Sequence, residues 1–134
     1  MQKKRRPGLG EAEAEVLNIV WSKGSATVQQ VWEALPPDRA IAQATVQSML
    51  RRLRDKGYLK SQARGRMHVF SAAAQPNTVV RDLVRRFVRG LFGGDPLPLL
   101  MHLAENHELS REDLQRLRKA VDEAEESGEA DERD

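Results

Sequence analysis

The 134-residue chain contains no cysteine. Disulfides, zinc fingers of the cysteine type and thiol chemistry are thereby excluded. Histidine is scarce: His68, His102 and His107 are the whole supply. His102 and His107 stand five residues apart, off the i, i+4 spacing that puts two ligands on one helix face, so no metal site is expected. Aromatic residues make up only 4% of the chain. Its two tryptophans, Trp21 and Trp32, fall on the apolar stripes of their helices and read as core rather than as ligand platforms. No apolar run approaches the roughly 18–20 residues of a membrane span, so no membrane insertion is expected. The opening Met1-Gln2-Lys3-Lys4-Arg5-Arg6-Pro7-Gly8 has the charge of a signal peptide without the apolar stretch that must follow. The expected location is therefore cytoplasmic. Nothing pairs a nucleophile with an oriented base. The expectation is no enzyme, no catalytic residue and no cofactor.

What is present is charge, unevenly placed. The chain is 31% charged and 40% hydrophobic, the profile of a globular protein, with a net charge of only +2. Residues 1–94 carry 17 Lys and Arg against 7 Asp and Glu, a net of +10. Residues 95–134 carry 5 against 13, a net of −8. A basic body suits a polyanion, while the acidic part belongs away from phosphates.

The most informative stretch is Thr45 to Leu59. Val46, Met49, Leu50 and Leu53 recur at i, i+3, i+4 and i+7 and line one helix face. Gly57 ends that helix, because glycine accepts a left-handed C-terminal conformation at little cost. Gln43, Thr45, Gln47, Ser48, Arg51, Arg52 and Arg54 occupy the other faces. A short polar, basic helix on a narrow apolar base fits a DNA major groove, where glutamine pairs with adenine in bidentate fashion. Two helices precede it: Gly10 to Lys23, ended by Gly24, and Thr27 to Leu35, with Ser25 as its expected N-cap and Pro36-Pro37-Asp38 as its stop. After Gly57 the period changes. Tyr58–Ser61 and Met67–Ser71 read as strands around Gln62-Ala63-Arg64-Gly65-Arg66, a turn with two arginines. Helix three and this wing nominate Gln43, Thr45, Gln47, Ser48, Arg51, Arg52, Arg64 and Arg66 as DNA contacts. His68 reads as a packed or surface residue of the hairpin.

A second module follows. Pro76 opens a helix through about Leu91, and Gly93-Gly94 breaks it. Asp95-Pro96 starts a short helix with a carboxylate cap. Ser110 caps the last helix, with Asp113 standing where a capping box prefers Glu, and Leu109 placed to staple on Leu114. Fewer than about 50 residues cannot bury enough surface to be stable alone. The stripe of Val80, Leu83, Val84, Phe87 and Leu91, with Leu100 and Leu117, therefore predicts a homodimer interface. The expected division is a basic arm over 1–8, a DNA-binding domain over 9–74, a dimerisation domain over 75–124 and an acidic disordered tail over 125–134. The fold class is mainly α with a small β-hairpin wing: a winged helix-turn-helix followed by a C-terminal helical dimerisation domain.

Those segments resemble the penicillinase repressors of the BlaI/MecI type. The resemblance rests on Glu13 to Trp21, Thr45 to Leu50, Arg52 to Leu59, Gly93-Gly94 and Glu108-Leu109-Ser110, and spans about Leu9 to Val121. It implies a bacterial transcriptional repressor that binds a palindromic double-stranded operator as a homodimer. It further implies release through a membrane-bound metalloprotease sensor system, with the peptide bond His102-Leu103 as the aligned cleavage position. The thiolates of the copper-responsive, CopY-like branch are absent. Two other functions remain open on sequence alone: a non-specific architectural DNA-binding protein, and a winged-helix protein-interaction module.

Overall fold

The computed structural model describes residue 6 and residues 8–128. Its elements are α1 (Glu11–Lys23), β1 (Ser25–Thr27), α2 (Val28–Ala34), a 3-10 turn (Pro37–Arg39), α3 (Gln43–Asp55), β2 (Leu59–Arg64), β3 (Met67–Ala72), α4 (Pro76–Phe92), α5 (Leu97–Glu105) and α6 (Arg111–Gly128). The three strands form an antiparallel sheet in the order β1-β3-β2. The chain divides into two compact units between Val84 and Arg85.

The first unit is the winged helix-turn-helix. Its core gathers Val16, Leu17 and Val20 from α1, Val31 and Leu35 around α2, and Val46, Met49, Leu50 and Leu53 from α3. Tyr58, Leu59 and Phe70 close it from the sheet. The helical periodicity seen in α3 is thus the buried face. Gly57 adopts φ +93°, and the amide of Tyr58 donates to the Leu53 carbonyl at 2.9 Å, so the chain reverses directly from α3 into β2. The wing is longer and its turn tighter than the residue pattern predicts. Arg64 pairs with Met67, which leaves Gly65 and Arg66 as a two-residue turn, with Gly65 at φ +63°.

Several expectations need correcting. Ser25 does not cap α2. It begins β1 and pairs with Ser71, and Thr27 is the cap. Thr27 Oγ1 accepts from the Gln30 amide at 3.2 Å, and the Gln30 side chain accepts from the Thr27 amide at 2.9 Å. Trp32 is not core: it is 40% exposed, and its indole N–H donates to the Ile41 carbonyl at 2.8 Å. That bond pins the loop before α3 and gives the ring a surface role. Trp21 is partly buried against the core.

The first turns of α4 belong to this unit rather than to the second module. Val79 is fully buried in the core and Leu83 packs against it. In the second unit Gly93 and Gly94 both have positive φ, which ends α4. The Asp95 carboxylate accepts from the Leu97 amide at 3.1 Å at the head of α5. The capping box of α6 closes in both directions despite the shorter acid: the Asp113 amide donates to Ser110 Oγ and the Ser110 amide donates to Asp113 Oδ2, each at 3.0 Å. The Ser110 amide and hydroxyl hold the Asp113 carboxyl below its ordinary range. α6 continues to Gly128, past Glu125, where the acidic tail was expected to start; residues 129–134 of that tail, and residues 1–5 and 7 of the basic arm, lie outside the described residues.

Candidate nucleic-acid interface

Helix α3 advances about 100° per residue, so its polar residues fall on two flanks around the buried stripe. Gln43, Gln47, Arg51 and Arg54 share the flank toward the wing, and all four line one cleft of about 670 Å³. The opposite wall is Arg66, Met67, His68 and Phe70 of the hairpin, and the end wall is Thr27, Val28 and Gln29. Thr45, Ser48 and Arg52 lie on the other flank of α3 and do not line this cleft. Thr45 and Ser48 are exposed. Arg64 is exposed at the last residue of β2, outside the cleft wall.

The cleft is cationic. Three arginines line it, and no carboxylate is among its lining residues. Arg54 is partly engaged, with Nε donating to Asp55 Oδ1 at 3.4 Å and a terminal nitrogen to Ser61 Oγ at 3.5 Å. The Gln29 side-chain amide donates to Glu33 Oε2 at 3.0 Å. A cleft of this size, between a polar helix and a basic hairpin, can hold a sugar–phosphate strand while the helix reaches base edges beside it. Phosphate contacts from such arginines set register, and only groups at base edges read sequence.

Arg52 takes part in an ion-pair cluster. Its Nε donates to Glu13 Oε2 at 3.1 Å, and Lys56 Nζ donates to Glu13 Oε1 at 2.7 Å. Glu13 is 8% exposed and also accepts from the Gly10 amide at 3.1 Å. Burial pushes this carboxyl up, but the bonds from Lys56, the Gly10 amide and Arg52 outweigh burial and hold it below the ordinary carboxylate range. The cluster ties the start of α1 to the end of α3, which fixes the recognition helix on its support. Lys56 also donates to the Gly8 carbonyl at 3.1 Å, and Arg6 donates to the Gly57 carbonyl at 3.3 Å and stacks on Tyr58 at 6.0 Å.

Sequence reasoning overlooked Thr27, Val28, Gln29, Met67 and His68 as cleft residues. The missing signal was β1: its pairing with β3 carries the start of α2 next to the wing, and three residues without alternation give no warning of a strand.

In the second unit the apolar stripes are open. Phe87, Leu91, Leu97, Leu100, Met101, Leu114, Leu117 and Val121 are all among the exposed large hydrophobics, as are Val80 and Val84 at the end of the first unit. Leu83, expected beside them, is instead partly buried on the headpiece core. Phe87 meets Phe92 edge-on at 6.0 Å, and Phe92 lies 6.4 Å from His102. His102 is exposed and Leu103 half-buried, both inside α5. No group of metal-ligating residues occurs among the described residues, and no described helix is long and apolar enough to cross a membrane.

Residues 9–123 match the profile of the penicillinase repressor family. The chain belongs to that family. Among its relatives is the penicillinase repressor of Bacillus licheniformis, 26% identical over 120 residues that cover 90% of this chain and 94% of the relative. Another is the penicillinase repressor of Staphylococcus aureus, 24% identical over 107 residues that cover 80% and 85%. The solution structure of the DNA-binding domain of the repressor BlaI is similar over 55% of this chain and 90% of that domain, with 30% identity and a TM-score of 0.49. Membership makes the chain a DNA-binding transcriptional repressor and not an enzyme.

Proposed function

We propose that this repressor acts as a homodimer that places two headpieces on the half-sites of a palindromic operator. The observation that carries the proposal is the pairing of a cationic helix–wing cleft in one unit with unburied apolar stripes in the other. In each headpiece α3 enters the major groove, Gln43 and Gln47 face base edges, and the phosphate strand beside that groove runs through the cleft past Arg51, Arg54 and Arg66. Thr45 and Ser48 meet the groove from the other flank of the helix, and Arg64 reaches phosphates from the wing. Two-fold symmetry brings the stripes of Phe87, Leu91, Leu100 and Leu117 onto those of a second copy, with Val80 and Val84 at the margin. Half-sites are then spaced by one helical turn, about 34–36 Å, or a multiple of it.

The test is selection from a randomised duplex library followed by footprinting. Inverted half-sites are expected, and Gln47→Ala is expected to narrow the preference for the selected duplex over random DNA. A protein that retains all sequences equally would be a non-specific binder, and the operator reading would be wrong. The release route that accompanies this function is a cut in α5 between His102 and Leu103, which separates the headpieces. The resemblance to repressors released in this way and the exposed position of His102 support it. Mass spectrometry of the repressor from cells derepressed by cell-wall antibiotics, with a membrane metalloprotease present, checks it; an intact chain there excludes it.

A further inference from the structure

The cleft holds one titratable side chain to which the proposed DNA contacts give no role. His68 sits in its wall on β3, exposed, with Ala63 as its cross-strand partner on β2. The charged groups that line the cleft with it are all cations: Arg51 and Arg54 from α3, and Arg66 from the hairpin turn. α2 contributes the neutral Gln29, and β1 the neutral Thr27. The acids one bond removed are already engaged, Asp55 by Arg54 at 3.4 Å and Glu33 by Gln29 at 3.0 Å. The cleft therefore offers an imidazolium no carboxylate of its own to rest on. A phosphodiester passing between α3 and the wing supplies the missing anion.

We propose that His68 is a proton-linked phosphate contact: the headpiece takes up a proton there as the DNA strand enters the cleft, so operator binding strengthens as the pH falls through the imidazole range. This inference rests on the DNA reading of the same cleft. Imidazole is the side chain whose unperturbed charge change lies between about pH 5 and 8. An opposite charge within about 4–6 Å favours its charged form. Linkage then requires that DNA binding and protonation reinforce each other. If the phosphate raises the proton affinity of this imidazole about tenfold, affinity per headpiece falls about sevenfold between pH 5.5 and 8.

The experiment uses the full chain and the duplex it selects from a randomised library. Binding is measured from pH 5.5 to 8 at fixed salt, and proton uptake is read by calorimetry in buffers of different ionisation enthalpy. The wild type should take up at most about half a proton per headpiece, the limit for a tenfold rise in proton affinity, and should bind more weakly as pH rises. His68→Gln should bind with a flat profile and no uptake. His68→Lys should be equally flat, at an affinity close to that of the wild type at low pH. A variant carrying His102→Gln and His107→Asn should keep the full dependence, since those residues are in the second unit. A wild type that selects and binds its duplex with no pH dependence, or a His68→Gln protein that still takes up the proton, overturns the inference while the DNA reading stands. A protein that selects no duplex at any pH loses the DNA reading first.

Discussion

Replacing Glu13 with glutamine should loosen the headpiece by an amount that the geometry bounds. The carboxylate is 8% exposed and accepts three bonds: from Lys56 Nζ at 2.7 Å, from the Gly10 amide and from Arg52 Nε, both at 3.1 Å. Glutamine keeps one acceptor but turns the other terminal group into a donor, which faces a cation. Removing one member of a fully buried pair costs about 3–5 kcal/mol. The two cations here are not fully buried. The side chain of Lys56 is 24% exposed and that of Arg52 is 57% exposed, so water solvates them when the carboxylate is gone. The expected loss is therefore about 1.5–3 kcal/mol, the range of a hydrogen bond to a charged group. For a unit of this size each kcal/mol moves Tm by about 4–8 °C, so a drop of about 6 °C or more is expected in a thermal melt.

The pH dependence of the same variant supplies a sign. The folded-state carboxyl lies below its ordinary value of 4.5, so the native state binds fewer protons than the unfolded state through that region. Its contribution is fully present above about pH 5 and is lost as pH falls through the folded value. The stability gap between wild type and Glu13→Gln should thus be constant from pH 5 to 8 and close in stronger acid. A Tm unchanged at pH 7, or a gap that widens toward low pH, would refute the reasoning. A double-mutant cycle with Lys56→Met should recover a coupling, because the two atoms share one bond.

The remaining predictions separate the other parts. Arg51→Ala or Arg66→Ala should weaken operator and random DNA alike and reduce the salt slope by about one unit each, while Arg52→Ala should lower Tm and leave the slope nearly unchanged. A fragment of residues 1–84 should fold as a monomer. One ending at residue 75 should be less stable by about 2 kcal/mol in urea, since it discards the buried Val79. Phe87→Asp should dissociate the dimer in sedimentation without moving the melt of the headpiece, and a dimer of unchanged strength would place the interface elsewhere.

The headpiece was largely legible in the sequence because one-dimensional periodicity records burial. Val46, Met49, Leu50 and Leu53 repeat with the helix period, and all four are buried. What escaped was contact between distant segments. The pairing of Ser25 with Ser71 is invisible to any local window, and with it β1 brings the start of α2 beside the wing. Arg52 reads as a DNA contact from its place on α3, and its bond to Glu13, 39 residues earlier on another helix, lies beyond the reach of that reading. Trp32 read as core from its position on the α2 stripe, yet its N–H needs an acceptor, and the Ile41 carbonyl at the surface supplies it. The α4 stripe reads as a single surface in the sequence, whereas Val79 and Leu83 pack on the headpiece core and Val80, Val84, Phe87 and Leu91 stay exposed.

That division of α4 bears on how occupancy of the operator is set. One cleft offers only a few cations to phosphate, and each neutralised phosphate adds a modest, salt-sensitive increment to affinity. A single headpiece should therefore bind weakly at physiological salt. Tethering two of them turns the second binding event into an intramolecular one and can raise affinity by about 10²–10⁴ with no new DNA contact. In the proposed homodimer the gain would depend on residues that touch no base: the exposed stripe from Phe87 to Leu91 and its continuation through Leu100 and Leu117. Cutting α5, or replacing Phe87 by a charge, would leave every cleft intact and still empty the operator. Because Val79 is buried in the headpiece core, the first turn of α4 stays with each cleft after such an event, and the released monomers should retain their fold and their weak, non-cooperative DNA binding. Loss of folding together with loss of binding would mean that the two units are not energetically separate, and avidity would no longer be the explanation for release.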